Sequence, residues 1–191
     1  MPKSEETKAL TKENILYAAG RGFRTGGYGG IGVDGISKAA GVTSGAFYAH
    51  FGSKANAFEK ALVYGMGCVR EKIEGLQAQY GAQWTPHFID YYFTDQLSSN
   101  LSEACALPSL SADVARANEK TQKAYEVELS KIAGAMANEL PGKDDNDKLA
   151  KAWAILSILI GASSMVRAVQ RQALADEIIK SAQAQALTIV S

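Results

Sequence analysis

Residues 33–54 read VDGISKAAGVTSGAFYAHFGSK, two short apolar repeats with a glycine between them. In the first, Val33, Ile36, Ala39 and Ala40 recur at the three- and four-residue intervals that put side chains on one face of a helix. Gly41 follows and suits the left-handed conformation that closes a helix, and Val42 is the apolar residue that tucks the turn inward. Thr43 offers a hydroxyl to cap the amides of a second helix, which Phe47 and Phe51 provide with a buried side. Two short helices joined by a glycine-containing turn make a helix-turn-helix, whose second helix can enter the DNA major groove.

Upstream, residues 1–10 read as a frayed, charged arm, and Thr11 is suited to cap a helix carrying Ile15, Leu16, Ala19 and Phe23 on one stripe and ending near Arg24. Gly20 and Gly22 inside that helix each cost about 1 kcal/mol relative to alanine, so its last turn is weak or packs closely on a neighbour. The glycine run that follows contains G-x-G-x-x-G at Gly27, Gly29 and Gly32. A dinucleotide site needs a buried strand before this run and an acidic residue about 20 positions on. A helical pattern precedes it and Gly52 stands where the acid belongs, so the run is a connector between helices.

With the connector placed, the pattern acquires a family. Ile15-Leu16-x-Ala18-Ala19, Phe23, Gly27-Tyr28, Val33-Asp34-x-Ile36, Ala40-Gly41-Val42, Gly45-x-Phe47-Tyr48-x-His50-Phe51 and Ser53-Lys54 closely resemble the N-terminal DNA-binding domain of the TetR family of bacterial transcriptional regulators. The likeness covers about residues 11–62; beyond residue 65 it is one of helical layout only. It implies an all-α chain with a three-helix helix-turn-helix domain at 1–54 and a helical effector-binding and dimerisation domain at 55–191.

The residue chemistry agrees. Thr43, Ser44, Gly45 and Ala46 form a first turn of short side chains, able to sit deep in the groove, with hydroxyls for base edges or phosphates and an Ala46 methyl for a thymine methyl. Tyr48 and His50 match positions that hold phosphates in the family, and Lys54 opens the next helix, where free amides and an ammonium favour an anion. Core packing is the ordinary role for Phe47 and Phe51, and the competing one for Tyr48 and His50. The chain departs from the family at Gly32, where Ser or Thr usually caps the helix and holds a phosphate; Arg24 or Lys38 would have to compensate.

Downstream, Ser53 is suited to cap a long helix carrying Phe58, Ala61, Leu62, Met66, Val69, Ile73 and Leu76, which would couple the two domains. Its Gly65 and Gly67 suit a bend or, more simply, close packing. WTPHFIDYYF at 84–93 places Trp84, Phe88, Tyr91 and Tyr92 on a shared face, an aromatic wall for either a small-molecule pocket or the core. Phe88, Tyr91, Tyr92 and Cys105 are the candidate effector contacts. Cys105 lies just upstream of a helix start near Pro108, where it is either a thiol sensor, as in some regulators of the family, or a small buried hydrophobe. Three helices follow, over 118–140, 146–171 and 173–190, the last two with more apolar surface than one contact needs. That excess suggests an intersubunit four-helix interface, which the resemblance also implies.

The formal net charge is zero, yet residues 1–60 carry eight Lys/Arg against five Asp/Glu, leaving the rest acidic. Two cysteines and two histidines supply no disulfide framework and no metal-ligand spacing, and no cofactor is implied. The polar N-terminal stretch lacks the apolar core of a secretory signal, and the apolar run at 152–162 falls short of the roughly 20 residues of a membrane span. No nucleophile elbow or paired acid–base motif points to an enzyme. The expectation is a cytoplasmic homodimeric regulator, a repressor released from a palindromic DNA operator by a small-molecule effector. The competing class is a helical protein-interaction adaptor that has lost DNA recognition.

Overall fold

The computed structural model describes residues 5–190, and among these there are helices and turns but no strand. The described residues arrange in two compact units, one of residues 5–65 with 101–125 and one of 66–100 with 126–190. This grouping is not a linear division, because residues 101–125 return to the N-terminal helices.

In the first unit, α1 spans Glu5–Gly30 and α2 Val33–Ala39, and α3 is Ser44–Phe51. The expected cap at Thr11 is not used: its hydroxyl donates to the Thr7 carbonyl at 2.7 Å, and the helix begins a turn and a half earlier, at Glu5. Residues 5–10 are thus helical, whereas residues 1–4 of the expected arm lie outside the described residues. Two acidic residues in the first turn, Glu5 and Glu6, favour the positive helix end, which explains the longer helix.

α1 also continues past Arg24, through a kink. Gly27 has φ 70° and ψ 177°, a region essentially closed to other residues. The next amide, Tyr28 N–H, donates to Asp113 Oδ2 at 3.1 Å, so a carboxylate from α6 (Ala106–Val114) takes the donor released by the broken helix. Arg116 holds the same carboxylate at 3.2 Å. Behind the kink, Phe58 meets the rings of Phe23 and Tyr28 edge-on at 5.1 and 5.2 Å. The glycine run is therefore a shaped joint, braced by aromatic packing on one side and a hydrogen bond on the other.

Helix α4, Lys54–Tyr80, contributes Ala57, Phe58, Ala61 and Leu62 to this unit's core, all almost completely buried. Close packing is the role of its Gly65, where an added Cβ would stand 2.8 Å from the Ala106 methyl. Glu59, 6% exposed, is paired with Lys120 at 2.9 Å.

The second unit takes the later residues of α4 and of α7 (Glu119–Asn138), with α5 (Trp84–Tyr91), α8 (Asp145–Ala168) and α9 (Gln172–Val190). Its core holds Met66, Ile73, Trp84, Phe88, Ile89 and Tyr92 beside Ile132, Met136, Ile155 and Leu159. α5 runs into a wide π turn at Tyr92–Gln96, and α9 packs along α8. Asp144 caps α8 by accepting the Asp147 N–H at 2.9 Å. Length and composition alone would let α8 cross a membrane, contrary to the expectation from the apolar run. A helix buried on one side in a protein core passes that same test, and Ala152, Ile155, Leu156, Leu159 and Ala162 form such a side.

Replacing Gly27 with alanine forces a side chain into a forbidden backbone region and places its Cβ 3.1 Å from Asp113 Oδ2. Gly27→Ala is expected to cost about 2 kcal/mol of stability, read as a lowered urea midpoint at unchanged slope.

Candidate nucleic-acid interface

Each helix of the 33–54 stretch starts and stops for a local reason. Gly32 is the N-cap of α2, extended at φ −91°, and contributes no side-chain hydrogen bond. At the other end the amides of Ala40, Gly41 and Val42 donate to the carbonyls of Ile36, Lys38 and Ser37 at 2.9, 3.2 and 2.9 Å, with Gly41 at φ 67°. Thr43 caps α3 as expected, its Oγ1 accepting the Ala46 N–H at 3.2 Å. Gly52, at φ 69°, closes α3, and Ser53 Oγ accepts the Asn56 N–H at 3.1 Å to open α4. Asn56 also donates from Nδ2 to the Phe51 carbonyl at 2.9 Å, fastening the end of α3 to the start of α4.

This framing decides which side chains face outward. Phe47 and Phe51 are buried at 0% and 3% exposure, and their stacked rings lie 5.7 Å apart. Tyr48 is 52% exposed, standing at right angles to the Phe47 ring. Thr43 and Gly45 are exposed, and Ser44, Ala46 and His50 are half-buried. A short-chained first turn is thereby presented on a helix anchored through its opposite side. Lys54 Nζ lies 4.6 Å from the centroid of the Tyr28 ring, so the aromatic joint of α1 holds the ammonium by a cation–π contact. Of the two residues considered to offset Gly32, Arg24 is engaged within the unit, donating from Nε to the Ser102 carbonyl at 2.7 Å, whereas Lys38 is exposed.

Two participants were not singled out by sequence. Tyr28, twenty-six positions before Lys54, is its platform, and Asp34 accepts a 2.6 Å hydrogen bond from Ser44 Oγ. Both pairings join residues of separate helices, beyond the reach of helical periodicity.

The candidate effector residues fall apart in two groups. Trp84, Phe88 and Tyr92 form a ladder of neighbouring rings, each pair 5.9 Å apart, with Phe88 and Tyr92 buried in the core of the second unit. Tyr91 points elsewhere and is half-buried: Lys72 Nζ lies 4.3 Å from its ring centroid, and Gln96 Nε2 donates to its hydroxyl at 2.6 Å. The Gln96 carbonyl in turn accepts from Arg167 at 2.7 Å. Cys105 belongs to the first unit and is the N-cap of α6, 8% exposed. Tyr125 is raised above the ordinary tyrosine value, first by its own burial and then by Cys105.

A helix-turn-helix of this build, with a short-chained outward turn and a framed cation, is the arrangement of a DNA-binding domain. Residues 15–61 match the profile of the bacterial regulatory proteins of the tetR family. No curated protein sequence matches the chain. Among solved structures, a TetR transcriptional regulator from Legionella pneumophila is 17% identical, covers 100% of both chains and superposes with a TM-score of 0.81. The reduced form of E. coli NemR is 19% identical over 95% of this chain and 97% of its own, with a TM-score of 0.78. A TetR transcriptional regulator from Chloroflexus aurantiacus is 17% identical over 96% and 95%, with a TM-score of 0.79. At these identities the superpositions establish the fold, and the match at residues 15–61 identifies that segment with the N-terminal domain of the TetR family of bacterial regulatory proteins.

Loss of the α3 cap should be visible without DNA. Thr43→Ala leaves the Ala46 amide without its side-chain acceptor and is expected to cost about 1 kcal/mol, measured by chemical denaturation.

Proposed function

We propose that this protein is a cytoplasmic repressor that binds a palindromic operator as a homodimer and is released by a small-molecule effector. DNA binding is assigned to residues 1–54 and effector binding with dimerisation to 55–191. The observation that carries the first part is the orientation of α3: Phe47 and Phe51 are inside while Thr43 to Ala46 and Tyr48 line the outer side. In this reading Thr43, Ser44, Gly45 and Ala46 approach base edges, and Tyr48, His50 and Lys54 hold the backbone. With Gly32 lacking a hydroxyl, those three residues supply much of the grip.

Support for the dimer comes from α8 and α9. A groove of about 500 Å³ runs between them, lined by Ile158, Gly161, Met165, Leu174 and Ile178 among others. Met165 is 53% exposed and Trp153 37%, apolar surface on helices whose other sides already fill a core. A two-fold partner also places two reading helices about 34 Å apart, one duplex turn.

For the effector, Tyr91 has the most support among the four candidates. Its hydroxyl accepts from Gln96 of the π turn, its ring lies beneath Lys72 of α4, and Gln96 is itself held by Arg167 of α8; π turns recur at functional sites. Phe88 and Tyr92 would form the wall behind it. The burial of Cys105 favours its packing role over a sensing one. An effector would act by binding the DNA-free form more tightly than the DNA-bound form, the requirement for any release.

A gel-shift titration with the DNA upstream of the protein's own coding region tests the reading. Wild type is expected to give a salt-dependent, sequence-selective shift; no such shift would favour the adaptor. Tyr48→Ala and Lys54→Ala are expected to weaken binding to all sequences alike, Lys54→Ala with a salt slope shallower by about 1 per half-site. In light scattering, wild type should have the mass of a dimer and Met165→Glu that of a folded monomer, since a charge at a closed apolar contact goes unpaired.

A further inference from the structure

We propose that Asp34 sets the hydrogen-bonding polarity of Ser44, turning its hydroxyl into an acceptor-only reader that selects cytosine or adenine at the base it faces. The proposal rests on the DNA-binding reading above and specifies which base chemistry one residue of α3 recognises. Its basis is the 2.6 Å contact between Ser44 Oγ and Asp34 Oδ1. A serine hydroxyl has one hydrogen to donate and two lone pairs to accept with, whereas an ionised carboxylate only accepts. The hydrogen of Ser44 is therefore directed at Asp34, at the short separation of a charge-assisted bond. Only lone pairs remain for the groove.

In the major groove, cytosine N4 and adenine N6 are donors, while guanine O6 and N7 and thymine O4 are acceptors. An acceptor-only hydroxyl pairs with the first two and opposes the lone pairs of the others. The exposed Asp34 carboxylate adds to this bias, being itself acceptor-only. The neighbouring hydroxyl is arranged differently. Thr43 Oγ1 accepts the Ala46 amide, which leaves it a hydrogen to donate and one lone pair to accept with. Two adjacent hydroxyls at the start of α3 thus differ in kind: Thr43 can still donate to a base, and Ser44 can only accept.

The alternative for Asp34 is purely structural: an acid in the first turn of α2 complements the positive helix end. That role affects stability without affecting base preference. Selection of operators from a randomised duplex library, followed by sequencing, separates the two. Wild type is expected to enrich C or A over G or T by about tenfold at one position per half-site, and Ser44→Ala to lose the preference there alone. Asp34→Ala is expected to admit G and T at that same position with the others unchanged. Asp34→Ser, which suits a helix first turn but stops one bond short of the carboxylate oxygens, should do likewise, and a thermal melt confirms that either variant is folded. An Asp34 variant that keeps the preference, or a wild type that selects G or T there, overturns this proposal alone. A wild type that enriches no sequence overturns the DNA-binding regulator with it.

Discussion

The burial of Phe47 and Phe51 on one side of an eight-residue helix is the constraint on which the interface depends. A helix this short has little stability of its own, since nucleation costs more than a few hydrogen bonds return. Its orientation therefore comes from what it buries. With the two rings inside, residues at the start of the helix and Tyr48 must face outward, and no other rotation keeps both aromatics out of water. The caps at Thr43 and Gly52 fix the length, and Asn56 fastens the end to α4. Because the outer turn carries only a threonine, a serine, a glycine and an alanine, the same anchor that fixes orientation leaves room for close approach to a surface.

The joint at Gly27 performs a second task. The kink turns the end of α1 so that Tyr28 stacks beside Phe23, meets Phe58, and lies under the Lys54 ammonium. One tyrosine is thereby both core and platform, which ties the placement of a phosphate-binding candidate to the packing of the domain. Asp113 completes the joint from α6, a segment far along the chain that belongs to the same compact unit.

Much of this was legible in the sequence because the signals are local. Gly41, Thr43 and Ser53 act within one helical turn of themselves, and the apolar periodicities of α3 and α4 identify their buried sides, whereas α2 buries Ile36 with Ser37 and leaves Ala39 exposed. The ends of α1 were misread for the same reason: Thr11 has the chemistry of a cap, but the helix had already begun at Glu5, and the glycines after Arg24 break a helix only where an external acceptor takes the released amide. The aromatic stretch at 84–93 illustrates a different limit. Periodicity placed Phe88, Tyr91 and Tyr92 together, but Tyr91 lies apart from the ladder, beneath a lysine from α4.

What the sequence determined by itself was the all-α class and the helix-turn-helix with its caps, both of which rest on interactions between residues a few positions apart. The tertiary structure decided that Asp34 orients Ser44, that Tyr28 carries Lys54, that Asp113 braces the kink, and that residues 101–125 join the N-terminal helices. These are contacts between helices, and their partners follow from how the helices pack, which no single periodic pattern encodes.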